Sequence, residues 1–435
     1  MSGRPSRQLL LGLFLFLYIP IAFHYGWVLL DGVSVDFPSY YHAAHLAFVE
    51  GKTPYGFSAF DAASAAMGRK VHPYLYPPPS LLAFWPFAKL SLTHAQAAFL
   101  AASHLCFLGS IWLMLAKLTP LPGDHRLRDL TLGAGTVYLL CFDPALATLG
   151  LGQVNLIALF FLCLALAALK REAPAWCIAL PLSVAILLKT YPVLLLALLL
   201  FRRRFREILL TCVFFGMFAA ITTLVLPIEI WTSWFKEVLP AGGYANNQIS
   251  AAGPWNQNIN GFVTRLLLAN AFSEAPLAHP FLAKPVATGL ALLVVCVTLF
   301  LSFRLSRRDD HRECADDEAA AFLLMIFLIA PLSWDHHLVY ILPATLLVIS
   351  LIMNGATSGT TAMLLVVALG LMAWKIPFDH PALMRGWWTL LISIKFYPVI
   401  VLWLFFVMRL LRPQRAVPAR FPQHPKEHEH LQATL

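Results

Sequence analysis

Charge is what this sequence has least of. Asp, Glu, Lys and Arg make up only 12% of the 435 residues, about half the roughly 25% usual in soluble globular chains. Too little polar surface is left to face water on all sides, so a soluble domain is excluded. A hydrophobic share of 59% and a mean hydropathy of +0.72 point to a bilayer instead. Cysteines are few and poorly placed for chemistry: Cys314 lies in a charged loop, the other six lie in apolar runs, and no CxxC occurs. No structural disulfide and no thiolate metal site are therefore expected. Glycine-rich phosphate loops are missing too. There is no G-x-G-x-x-G and no P-loop, and no stretch between apolar runs is long enough for an α/β nucleotide domain. The net charge of +9 does not indicate a nucleic-acid partner, because the basic residues gather at the ends of apolar runs.

Apolar runs are what is present. They fall near 9–30, 95–117, 129–147, 153–170, 174–188, 191–201, 207–227, 282–305, 319–334, 336–353, 359–374 and 388–410, about twelve membrane segments by window length. The first is read as a spanning helix rather than a signal peptide, since it is too long and lacks a small-residue cleavage site. Most of the 31 lysines and arginines fall on the side that holds Arg4 and Arg7, including Arg202, Arg203, Arg204, Arg304, Arg307 and Arg308. That bias predicts cytoplasmic N- and C-termini. Two outer loops are long, 31–94 and 228–281. After Pro77-Pro78-Pro79, the stretch from Ser80 to Leu90 is too short to span upright and reads as re-entrant or interfacial. Segments 174–188 and 191–201 are split by Lys189-Thr190-Tyr191-Pro192. Pro192 has no N–H and disfavours helix at Tyr191, and such breaks are tolerated at membrane depth only inside protein or beside a cavity. No internal repeat is visible. The expectation is an all-α polytopic membrane protein, one domain over 1–410, with a disordered cytoplasmic tail over 411–435.

Unusual polar groups collect at the outer ends of these segments. They are Asp36 with Tyr40 and Tyr41, the pair Gln153 and Asn155, Lys189 in the helix break, Asn256-Gln257-Asn258 in the second long loop, and Trp334-Asp335-His336-His337. Each has a plain structural reading. Asp36, Gln153 and Asn155 suit helix caps, Lys189 suits a snorkelling position, and the Asn-rich loop suits turn chemistry. Asp335-His336-His337 is the hardest to explain that way, because three titratable groups in a row are expensive in a membrane unless a wet cavity receives them. Their convergence on one face predicts a single pocket. A substrate used there arrives dissolved or carried by lipid. A phosphate-headed lipid fits: apolar grooves take the tail, Lys189 meets the phosphate as a point charge, an Asp acts as general base, and a His orients or tunes it.

In order and spacing these motifs resemble glycosyltransferase family 87 of the GT-C superfamily. The likeness covers most of residues 10–410. It rests on Asp36 with Tyr40-Tyr41-His42-Ala43-Ala44, Glu50-Gly51, Pro54-Tyr55, Tyr76-Pro77-Pro78, Pro86, Gly152-Gln153-Val154-Asn155, Leu188-Lys189-Thr190-Tyr191-Pro192, Asn256-Gln257-Asn258 and Ser333-Trp334-Asp335-His336-His337. The resemblance implies a GT-C fold and an inverting transfer of a hexose, with mannose the expected sugar. The donor would be a polyprenyl-phosphate sugar and the acceptor a hydroxyl of a glycolipid or glycan. It implies Asp36 as the catalytic base, His336 and His337 as site histidines, and Lys189 at the donor phosphate. No cofactor and no metal are called for, and the partners are membrane lipids, donor and acceptor. The expected location is the cytoplasmic membrane, with the site on its periplasmic or extracellular side. Two other classes compete. A lipid-linked sugar transporter or flippase would place ionisable groups near the midplane, with Asp143, His24 and His104 as candidates. A zinc enzyme would use His42, His45, His336 and His337.

Overall fold

The computed structural model describes residues 4–32, 34–240, 251–308, 311–378 and 380–412. Among these the chain is helical, with two isolated bridges, Asn256 to Trp334 and Asn270 to Ser273, as its only extended pairings. The polar tail beyond Arg412, expected to be disordered, lies outside the described residues, as does 241–250 of the second long loop.

Each apolar segment read from the sequence coincides with a helix, but the lengths divide them. Among the described residues, six helices are long and apolar enough to cross a bilayer: Gln8–Gly26, Leu92–Leu118, His125–Leu151, Phe205–Val225, Pro280–Leu305 and Asp335–Met353. A seventh crossing is the pair Gly386–Ile392 and Phe396–Leu411, bent by 58°. The chain is thus a polytopic membrane protein. The remaining helices are shorter: Asn155–Lys170, Ala175–Leu188, Tyr191–Phe201, Gly359–Ala373 and Ala315–Ile329. Burial explains two of them. Asn155–Lys170 and Ala315–Ile329 are sheathed by other helices and apolar on nearly every side, as interior helices are. Three of the long helices, Gln8–Gly26, Phe205–Val225 and Pro280–Leu305, lie on the outside. Phe16, Leu224 and Phe281 are more than 70% exposed, an arrangement that lipid rather than water accommodates.

The Ala315–Ile329 helix opens with Asp316, Asp317 and Glu318, acids that complement a helix N-terminus. They pair with Lys170 at 2.5 Å, Arg409 at 2.9 Å and Arg202 at 2.9 Å, each at the C-terminal end of a different helix, where cations are favoured for the same reason. Residues that read as topology signals also clamp four helices together at this end. The other ends of these helices carry the helix breaks.

Candidate active site

The loop that carries Asp36 is held from two sides. Gln96, buried on Leu92–Leu113, accepts from Ser34 N–H at 2.9 Å and from Ser34 Oγ at 3.0 Å, and donates to Gly32 O at 3.0 Å. Across the loop, Asp36 N–H donates to Leu151 O at 2.9 Å, just before the left-handed Gly152 (φ +67). A Cβ on Gly152 would come within 2.8 Å of Ser34 Cβ and 3.0 Å of Phe37 Cβ, so only glycine lets this turn approach so closely.

That approach sets Gln153 beside Asp36. Asp36 occupies the N-cap position of Phe37–Phe48, yet its side chain makes no capping bond. Its Oδ2 accepts from Gln153 Nε2 at 2.8 Å instead. Because an ionised carboxylate only accepts, this contact fixes the amide: Gln153 Oε1 faces the other way and accepts from Tyr40 Oη at 2.7 Å. Tyr40 Oη lies 3.3 Å from Tyr76 Oη. Burial first, then the neighbouring Tyr76 and Asp36, push the Tyr40 phenol well above its ordinary range, so it stays a neutral donor. The Tyr40 ring stacks on Phe84 at 4.7 Å and 9°, which holds the hydroxyl in place.

Tyr76 carries the line onward. Lys189 Nζ sits 5.2 Å over its ring and 3.4 Å from His337 Nε2. Lys189 does not snorkel; it is 8% exposed and points inward from the extended residue that ends Ala175–Leu188. His337 Nδ1 accepts from Trp334 N–H at 3.2 Å, which assigns the hydrogen of a neutral ring to Nε2. A protonated Lys189 has no lone pair. Two donors therefore face each other, and among the described residues Lys189 forms no ion pair. A buried ammonium without a carboxylate is costly; an anion placed here would satisfy both groups.

The two helix breaks that supply Lys189 and His337 are stitched together. Tyr191 Oη donates to Leu332 O at 2.7 Å. Ser333 N–H donates to Asn256 Oδ1 at 2.9 Å, and Gln257 N–H to Ser333 O at 2.8 Å. Asn258 Nδ2 bonds Ala330 O, while its Oδ1 caps Ile259–Leu267 by accepting from Gly261 N–H at 2.9 Å. Gln257 Nε2 donates to Pro254 O and Ile392 O, and Gln257 Oε1 accepts from Lys395 N–H. The amides of Asn256, Gln257 and Asn258 are spent on holding the loop, which is turn and cap chemistry. Tyr41 also looks away, its hydroxyl on Leu90 O at 2.8 Å. Asn155 belongs nearer the site: its Oδ1 accepts from Tyr340 Oη at 3.0 Å, and its Nδ2 is buried without a protein partner.

The expected pairing of Asp36 with a histidine is not formed among the described residues; Gln153 takes that place. His336 Nδ1 lies 3.6 Å from Asp335 Oδ1. Asp335 is no solvated bystander. It lies 4.0 Å from the fully buried Lys395 Nζ, which sits 3.4 Å from Asp143 Oδ2. Asp143 is therefore part of this cluster rather than an isolated charge along a transport path. Trp334 stacks on Trp255 at 6.1 Å and 26°, beside the cluster. His42 and His45 lie elsewhere, His45 Nε2 3.7 Å from Glu50, and among the described residues no three His, Cys, Asp or Glu are grouped to hold a metal. His104 is bonded to Tyr18 Oη at 2.8 Å. Sequence reading missed Tyr76 and Lys395 as members of the site. Tyr76 had a signal in its Tyr-Pro-Pro setting, and Lys395 had one in standing inside the apolar run 388–410, where a lysine is costly.

The chain is similar in sequence to known proteins. The chain is 25% identical over 399 residues to the polyprenol-phosphate-mannose-dependent alpha-(1-2)-phosphatidylinositol mannoside mannosyltransferase of Mycobacterium tuberculosis, covering 87% of this chain and 86% of that one. It is 26% identical over 335 residues to the protein of the same name from Mycolicibacterium smegmatis, covering 73% and 70%. Residues 74–331 match the profile of Glycosyltransferase family 87, a span that contains Tyr76, Gln153, Asn155 and Lys189. With more than half of its length matching in this way, the chain belongs to glycosyltransferase family 87 and is a membrane glycosyltransferase.

Proposed function

We propose that the enzyme moves a hexose, mannose in the first instance, from a polyprenyl-phosphate donor to a hydroxyl of a lipid or glycan acceptor, with inversion and without a cofactor. The observation that carries this reading is the facing pair Lys189 Nζ and His337 Nε2, two buried donors lacking an anion, joined through Tyr76, Tyr40 and Gln153 to the uncapped carboxylate of Asp36. The donor phosphate lies between Lys189 and His337. Asp36 takes the proton of the acceptor hydroxyl, whose oxygen bonds the anomeric carbon as the sugar–phosphate C–O bond breaks. The electron pair leaves with the polyprenyl phosphate, and its growing charge is met where charge-assisted hydrogen bonds are strongest. The Tyr40–Gln153 pair replaces a histidine in orienting the carboxylate. The donor in the relatives' names supports the choice of mannose. In this reading residues 1–410 form one GT-C unit of twelve membrane segments, with Asp36 on the non-cytoplasmic side.

The test is incubation of the purified protein with polyprenyl-phosphate mannose, glucose or arabinose and a glycolipid acceptor, with products read by mass spectrometry. Transfer of mannose is expected. Asp36→Asn should fold, bind donor and lose transfer by about 10²–10⁴-fold, the usual cost of a lost general base. Transfer by Asp36→Asn at the wild-type rate would end the mechanism; transfer of a different sugar alone would end the choice of mannose.

A further inference from the structure

A second cavity of the described structure lies away from this site. About 630 Å³ in volume, it lies at the opposite ends of the same helices, removed from Asn155 by the length of Asn155–Lys170, about 24 Å at 1.5 Å per residue. Small-molecule sites run to about 300–1,000 Å³. Its depth is apolar, lined by side chains such as Leu166, Leu323 and Leu347, and its rim is cationic. Among the described residues, Lys170, the three consecutive arginines from Arg202 to Arg204, and Arg312 line it against two carboxylates, Glu172 and Asp316.

A basic rim alone is what membrane topology asks for. Topology does not ask for cations from separate segments to line one cavity, and it does not explain their backbone. Among the described residues, three that are not glycine have positive φ, and two of them, Glu172 (φ 51) and Arg203 (φ 55), line this cavity. Each follows a helix end where glycine is the unstrained choice. A charged side chain stands there instead, the kind of local strain that marks functional positions. The ion pairs leave a surplus. Lys170 is matched by Asp316, Arg202 by Glu318, Arg204 by Glu207 and Glu172, and Arg312 by Glu172. Among the described residues the Arg203 guanidinium has no hydrogen bond or ion pair.

We propose that this cavity is a second lipid site, which takes the phosphate headgroup of an anionic phospholipid at the Arg203 rim and the start of its acyl chains against the leucines below. A headgroup with net negative charge complements the cationic surplus, and the apolar depth has no use for a soluble anion. The site is independent of sugar transfer.

Thermal unfolding of the full-length protein in detergent tests it, with phosphatidylglycerol, phosphatidylcholine or inorganic phosphate added. Phosphatidylglycerol should raise the midpoint, and the other two should not. Arg203→Gly should unfold at a higher temperature than wild type without lipid, because the left-handed strain is relieved, yet lose the gain from phosphatidylglycerol. Arg312→Ala, which leaves the backbone alone, should lose most of that gain, and Arg206→Ala, outside the cavity, should keep it. An equal gain from phosphatidylcholine, or an undiminished gain in Arg203→Gly and Arg312→Ala, overturns the site. A gain from inorganic phosphate matching that from phosphatidylglycerol overturns the lipid as occupant.

Discussion

At the scale of single residues, the difference between a cap and a base comes down to where one carboxylate points. Asp and Asn cap helices about equally well, and sequence alone offers both roles to Asp36. The capping role is unfilled: the Asp36 oxygen turns to Gln153 and leaves the helix start to Pro38, which needs no partner for its missing N–H. Lys189 resolves the same way, inward over Tyr76 rather than outward to an interface. We predict that Lys189→Ala weakens donor binding by about 30-fold or more, the 2 kcal/mol or more lost when one partner of a buried charge contact is removed. Lys189→Arg should recover only part, since a planar fork does not replace a point charge. Isothermal titration with donor and with acceptor separates the two, and equal weakening of both would return Lys189 to a structural role.

At the scale of elements, the site hangs on interruptions. Ala175–Leu188 stops at Lys189, Ala315–Ile329 stops before Ser333, and Asp143–Leu151 turns at Gly152. The first and third were legible from Pro192 and the Gly152-Gln153 pair. The stitching between breaks was not, because Asn256, Gln257 and Asn258 look the same in sequence whether their amides meet a ligand or a neighbouring carbonyl. Gly152 offers the cleanest probe. A methyl there meets Ser34 and Phe37 in a conformation that costs an L-residue about 1–2 kcal/mol. We predict that Gly152→Ala lowers the melting temperature modestly but cuts transfer by about 10²-fold, because a shift of about 1 Å in catalytic geometry has that effect. Parallel unfolding and rate measurements check it; a rate loss no larger than the stability loss accounts for would separate the turn from the chemistry.

At the scale of the whole molecule, the fold class was legible because low charge and long apolar runs leave few alternatives. Which helices cross alone was not: an interior helix such as Asn155–Lys170 is as apolar as a crossing one but shorter than the bilayer. Exposed tryptophans Trp85, Trp374, Trp387 and Trp388 sit at the Asp36 end, as interfacial belts do, and the acid–base clamp marks the other. In a background without the native cysteines, Ser58→Cys should react with an impermeant thiol reagent added to intact cells, and Ser306→Cys should not. The reverse pattern would invert the orientation and place the site in the cytoplasm.

Lys395 is contributed by the last, bent span, and it joins Asp143 to Asp335. Asp36 is contributed just after the first. The residues that meet at this end therefore run from position 36 to position 395, and no nascent chain that stops short of Lys395 contains them all. Until Lys395 leaves the ribosome and its helix docks, Asp143 and Asp335 wait without their cation. The cluster at this end is completed only when the bent pair Gly386–Ile392 and Phe396–Leu411 docks.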